Sequence, residues 1–119
     1  MSMTCEFTWH QIKHRAHEIC DDLNKNRPSE VGKLFVDCDP DCFTFQLGIL
    51  PVDALHVREM VEVARLICHQ ANQSQSEQWQ LMYFDDNQWS VYPHSHDLTA
   101  LELLDLVASD PARCLWEHR

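Results

Sequence analysis

Glycine is nearly missing from this chain, which holds only Gly32 and Gly48 in 119 residues. Two widely separated glycines build neither a Walker-type phosphate loop nor a dinucleotide fingerprint, since both need several at close spacing. Cations are scarce as well. Nine Lys and Arg stand against nineteen Asp and Glu, a formal charge of −10. Proteins that grip phosphates need the opposite balance, so direct binding to DNA or RNA is disfavoured. Long apolar runs are missing too, against the roughly 18 residues that cross a bilayer. The first residues, Met1 to Glu6, carry neither a basic nor an apolar leader. The expectation is a soluble, cytoplasmic protein with no membrane partner. Catalytic signatures are equally thin. No serine sits in a glycine-flanked elbow, and no cysteine has a general base beside it in sequence, so no enzyme is expected. Asp37, Asp39 and Asp41 alternate around Pro40 but lack the glycine and distal glutamate of a calcium loop.

What is present suits one globular domain over residues 1–119: 45% of side chains are apolar and 24% charged. Six cysteines, at 5, 20, 38, 42, 68 and 114, would suggest disulfides in an exported chain. Without a leader they read as small buried hydrophobes. Cys38 and Cys42 flank Asp39-Pro40-Asp41 and are expected to face each other across a hairpin mouth. One pair with three intervening residues is half of what a zinc ribbon requires, and at the wrong spacing.

Hydrophobic periodicity divides the chain into five elements. Thr8 and Gln11 form a capping box with a Phe7/Ile12 staple, predicting a helix from about Trp9 whose inner face is Trp9, Ile12, Ala16, Ile19 and Leu23. Asn24 to Ser29, with Pro28, ends it. Lys33–Cys38 and Cys42–Leu47 alternate as a hairpin, with Phe35, Phe43 and Phe45 on one face if Cys38 pairs with Cys42. From Pro51 to Asn72 an arc of Ala54, Val57, Met60, Val61, Ala64, Ile67, Cys68 and Ala71 predicts a central helix, its opposite face gathering Arg58, Glu62, Arg65 and His69. After the polar linker 73–77, Gln78–Phe84 and Gln88–Tyr92 form a second hairpin around Asp85-Asp86-Asn87. Thr99 and Glu102 then cap a short helix that Pro111 closes. The predicted fold class is α+β, in the order helix–hairpin–helix–hairpin–helix, with an antiparallel sheet and helices packed mainly on one face.

Charge is unevenly spread. Between Arg65 and Arg113 there is no Lys or Arg, while Glu77, Asp85, Asp86, Asp97, Glu102, Asp105 and Asp110 supply seven carboxylates. Such a field steers a cationic partner. Surface acidity also serves ordinary solubility, and charge alone does not separate the two. Trp79, Tyr83, Trp89 and Tyr92 of the second hairpin, beside the acidic turn, are candidate anchors because binding hot spots favour Trp and Tyr, although Trp79, Leu81 and Tyr83 share one strand face that core packing also explains. The expected binding set is Glu77, Asp85, Asp86, Trp89, Asp97, Glu102 and Asp105. It belongs to a non-enzymatic inhibitor or neutraliser of a protein with a basic, even nucleic-acid-binding, surface, of immunity, anti-defence or nucleic-acid-mimic type. One alternative is a chaperone for a secreted effector, a homodimer with an exposed apolar patch.

Another alternative is metal response. His10, His14, His17 and Asp21 fall at i, i+4, i+7 and i+11, one stripe of the first helix and nearly opposite its apolar face. Imidazoles one turn apart can share a divalent transition metal, with Asp21 orienting His17 or ligating. A solvated face is the plainer account of the same stripe. His94-Ser95-His96-Asp97 resembles a metallohydrolase pair only in isolation, since the remaining ligands are missing. His56, His69 and His118 read as partner-free surface residues.

Overall fold

The structure is a computed structural model and describes residues 6–25, 32–49, 59–70 and 77–116. Among the described residues it shows a small α+β domain of two helices and a five-stranded antiparallel sheet. Helix α1 spans Glu6–Asn24, and strands β1 (Lys33–Asp39), β2 (Cys42–Ile49), β3 (Glu59–Gln70), β4 (Glu77–Asp85) and β5 (Gln88–Val91) follow. Helix α2, Ala100–Ser109, comes last. The strands pair in chain order, β1-β2-β3-β4-β5, so the sheet is a simple meander. Among the described residues no helix is long and apolar enough to cross a membrane.

The central helix predicted over 51–72 is overturned where it is described: residues 59–70 are β3, paired to β2 on one side and β4 on the other. Residues 51–58 and 71–76 lie outside the described set. The helical pattern has a physical cause in a β-bulge. Phe45 pairs with Ala64 but Gln46 with Glu62, leaving Val63 as an extra residue on β3. The bulge turns the strand's two-residue alternation into a step of three, so that Val61 and Ala64 both face inward, which imitates helical spacing. Val63 and Ala64 are both fully buried.

The first hairpin also corrects expectation. Asp39 pairs with Cys42 and Cys38 with Phe43, one residue away from the predicted register. A one-residue slip sends side chains to the opposite face. Cys38 therefore points inward and Cys42 outward, towards the Thr44 hydroxyl at 3.6 Å. Phe35 parts from Phe43 and Phe45: it is 41% exposed, whereas both others are fully buried. The second hairpin turns on two residues, Asp86 and Asn87, with φ of 50° and 65°. Two successive left-handed residues match the twist of the strands they join, and Asp and Asn tolerate them.

Both helices cover the same face. Ile12, Ala16, Ile19 and Cys20 of α1 and Ala100, Leu103, Leu104 and Val107 of α2 share one core with Leu34, Phe43, Phe45, Leu66 and Leu81 of the sheet. Burying each large apolar side chain contributes about 1.5–3 kcal/mol. Helix α1 starts at Glu6, before the predicted cap, so Thr8 lies within it and Phe7 is 70% exposed instead of stapled to Ile12. At the other end Asn24 ties helix to sheet: its side-chain amide donates to the Leu34 carbonyl at 3.0 Å, and its oxygen accepts from the Leu34 N–H at 2.8 Å. Helix α2 has the predicted capping box. The Thr99 hydroxyl accepts from Glu102 N, and the Glu102 carboxylate accepts from Thr99 N.

Asp110 ends α2 in the left-handed region, φ 45° and ψ 59°. Its carboxylate accepts four hydrogen bonds, from the Tyr92 hydroxyl at 2.7 Å and from the backbone N–H groups of Cys114, Leu115 and Trp116 at 3.0–3.2 Å. Trp116 in turn donates its ring N–H to the Val107 carbonyl at 2.8 Å. Asp110 thus docks the segment after α2 onto the core. Burial, reinforced by the neighbouring Asp110 carboxylate, holds the Tyr92 hydroxyl well above the usual tyrosine range, against the lowering effect of the Ala112 N–H it accepts.

Candidate interaction surface

Because both helices lie on one side, neither covers the other face of the sheet. Strand alternation places on that outer face Phe35, Asp37 and Asp39 of β1, Met60, Glu62, Arg65 and Ile67 of β3, Met82 and Phe84 of β4, and Trp89 and Val91 of β5. Phe35, Met60 and Val91 are 41%, 45% and 37% exposed. At the centre the Arg65 guanidinium stacks over the Trp89 ring at 4.3 Å and bonds the Glu62 carboxylate at 2.7 Å. Trp89 also packs on Phe84, their ring centroids 5.3 Å apart. An arginine seated over an aromatic ring joins an apolar surface to a charged group.

Gly48 of β2 shapes one corner. A β-carbon there would come within 2.7 Å of the Phe35 ring and 2.9 Å of the Met60 sulfur. These two side chains close over the glycine from the neighbouring strands, and its bareness lets them.

The seven residues expected to bind a partner do not form one patch. Asp85 and Asp86 lie at the β4–β5 turn, while Asp97 lines a cleft near the start of β4. Seven residues of strand separate those ends, about 23 Å at roughly 3.3 Å per residue. Glu102 is engaged in the capping box, and Asp105 accepts from Arg15 of α1 at 3.4 Å. Asp110 is buried in the staple described above. Glu77 belongs to β4, and its side chain lies outside the described set. Of the aromatic candidates, only Trp89 reaches the outer face. Trp79 and Tyr83 pack against the core on the same side as the fully buried Leu81, and Tyr92 is 1% exposed.

A different grouping of acids emerges. Asp37 and Asp39 are exposed on the outer face of β1, and Asp41 is exposed in the turn that follows, at the end of the sheet opposite Asp85 and Asp86. The outer face therefore carries Asp37 and Asp39 along β1, whereas Asp85 alternates to the inner side with Tyr83 and Asp86 stands in the turn. Among the described residues Lys13 and Arg15 sit on α1 and Lys25 directly follows it, on the other side of the sheet, while Arg65 lies on the outer face and Lys33, at the start of β1, donates to the Asn24 carbonyl. The alternation in β1 contained this signal; the predicted register hid which face it would join.

At the edge of β4 a cleft of about 810 Å³ opens between the start of that strand, the loop before α2 and the first turns of α1. It brings His69, His96 and Asp97 near Trp79 and Leu98. His69 is not partner-free, since its ring nitrogen lies 3.1 Å from the Gln80 side-chain oxygen. His94 and Asp97 hold left-handed φ values of 57° and 60°, and Ser95, buried between them, donates to the Tyr92 carbonyl at 2.6 Å. His56 and His118 lie outside the described residues.

His10, His14, His17 and Asp21 are all exposed along α1, as the stripe predicted. Among the described residues no three His, Cys, Asp or Glu side chains converge as they stand on one metal position. His17 instead approaches β1, its Nε2 3.7 Å from the Cys38 sulfur. Burial pushes the Cys38 thiol upward, opposed by Lys13 and aided by Asp37 and Asp39. Burial likewise pushes the neighbouring Cys20 thiol to about 12.

No curated protein and no solved structure matches the chain. Residues 4–117 do match a family described as a domain of unknown function, DUF3024. With nearly its whole length matched, the chain belongs to the DUF3024 family.

Proposed function

We propose that this protein is a non-enzymatic binding module that covers a basic surface on a partner protein with the outer face of its sheet, and so inhibits or neutralises that partner. The observation that carries the reading is the composition of the outer face: an Arg65–Trp89 pair with exposed Phe35, Met60 and Val91, beside Asp37 and Asp39 of β1 and Asp41 in the turn that follows. Protein interfaces favour aromatic residues, Met and Arg at their centre. Acids along β1 and its turn steer a cationic partner. Surfaces that bind nucleic acid present such cationic ground, so a nucleic-acid-binding partner fits.

The test is capture with the tagged protein, comparing the native chain with a Met60→Asp/Trp89→Ser variant and with a Glu18→Lys variant on the helix side. The reading expects a basic partner that binds the native and Glu18→Lys chains, is lost with the outer-face variant, and weakens as salt rises. Retention by the outer-face variant would remove this face from the interaction. The same exposed apolar residues also fit an effector chaperone, which would use the face for a second copy of itself. A dimer in solution that Met60→Asp dissociates would favour that second reading.

A further inference from the structure

Two features of the chain, the histidine stripe of α1 and the cysteine at the end of β1, meet in the structure. His17 Nε2 and Cys38 Sγ are 3.7 Å apart. That separation is informative. Zinc-like ions hold sulfur at about 2.3 Å and imidazole nitrogen at about 2.0–2.1 Å, which at a tetrahedral angle places the two donors about 3.6 Å apart. An ion can therefore enter between them with almost no movement of helix or strand.

We infer that His17 and Cys38 are the founding ligands of a site for a thiophilic transition-metal ion, with Cys20, one turn further along α1, swinging in as the third. Cys20 is three residues from His17 on the same helix, so its side chain leaves Cα on the neighbouring side of the same turn. It is 5% exposed and belongs to the core against which Cys38 packs. The donors come from two different elements, as in designed and natural sites, and a set of two thiolates and one imidazole selects a soft or borderline ion such as zinc over magnesium or calcium. Each thiol gives up its proton as its sulfur binds, and solvent supplies the fourth position. The two histidines placed further up the stripe, His10 and His14, take no part.

Cobalt(II) reports such a site directly, because thiolate ligation gives a sulfur-to-cobalt charge-transfer band that nitrogen and oxygen ligands do not. Cobalt(II) is titrated into the full chain, reduced and free of any affinity tag. The expected result is one equivalent bound with that band present. Cys38→Ser should abolish the band, Cys20→Ser should leave about half its intensity, and the exposed variant His17→Gln, which poses no folding risk, should weaken binding by at least about tenfold, the loss that even an outer partner of a metal ligand produces. His10→Gln, Cys42→Ser and Cys114→Ser should change nothing. No band at saturating cobalt, or a band that survives His17→Gln at unchanged affinity, would overturn the assignment.

Discussion

Asp110→Asn is the sharpest test of how the fold is closed. The substitution keeps the size of the side chain, and Asn tolerates the left-handed backbone at φ 45° as Asp does, so conformational preference is unchanged. What changes is the acceptor count. The native carboxylate gives one oxygen to the Tyr92 hydroxyl and Cys114 N and the other to Leu115 N and Trp116 N. An amide retains one oxygen and turns an NH₂ towards two N–H donors. Two hydrogen bonds to a charged acceptor disappear, at about 1.5–3 kcal/mol each, and the surviving pair loses its charge assistance. A loss of about 3–5 kcal/mol is expected by urea denaturation followed by circular dichroism, a large part of the 5–15 kcal/mol that holds a typical domain. Tyr92→Phe removes one of the four bonds, together with the hydroxyl that accepts from the Ala112 N–H, and should cost about 1.5–3 kcal/mol. The double variant should fall short of the sum by at least about 1 kcal/mol, because both changes break the same bond. Amide exchange at 114–116 should speed up in Asp110→Asn before the sheet is affected. If Asp110→Asn lies within about 0.5 kcal/mol of the native protein, the staple contributes nothing and the reasoning fails.

Three further outcomes follow from the same structure. Asn24→Ala removes both bonds to Leu34 that anchor the end of α1 on β1, and a loss of about 1–2 kcal/mol is expected in the same denaturation assay. Gly48→Ala meets the Phe35 ring and the Met60 sulfur, both able to swing outward, so stability should change by less than about 1.5 kcal/mol while partner capture falls; unchanged capture would mean that this corner of the outer face is not used. The third concerns pH. Burial raises the Cys20 thiol from 9.0 to about 12, so its stabilisation is complete below pH 9 and drains away as pH climbs towards 12. At roughly 1.4 kcal/mol per unit it is capped at about 4 kcal/mol. Cys20→Ala should flatten the alkaline limb of the stability curve, and an unaltered slope would show the thiol to be hydrated.

Much of this architecture is legible in the sequence, and the departures share a cause. Both helices, the inner face of α1 and the capping box of Thr99 and Glu102 follow from local periodicity and cap chemistry, which need no knowledge of distant partners. The second hairpin is also visible, since Asp86-Asn87 suits its turn. Residues 59–70 imitate a helix because the bulge at Val63 gives a strand helical spacing, and only pairing with β2 and β4 reveals it. Even so, Glu62, Arg65 and His69 share one face in either reading, because both periods bring them together. The binding set fares differently. Proximity in sequence suggests that the acids of the second half gather, but a meander sends Asp85 and Asp97 to opposite ends of β4 and commits Glu102 to a helix cap. Asp37 and Asp39 join the outer face through a register that turn chemistry at Pro40 leaves open by one residue. The meeting of His17 with Cys38 depends on how α1 lies across β1, which no local pattern encodes.

The central claim is that the outer face of the sheet is where a partner docks. The direct measurement is site-specific photo-crosslinking, with the reactive side chain placed at Met60 or Phe35 on that face and, for comparison, at His14 on α1. The account predicts a salt-sensitive adduct to a basic protein from positions 60 and 35 and none from position 14. An adduct formed only from position 14, or equally from all three, would contradict it.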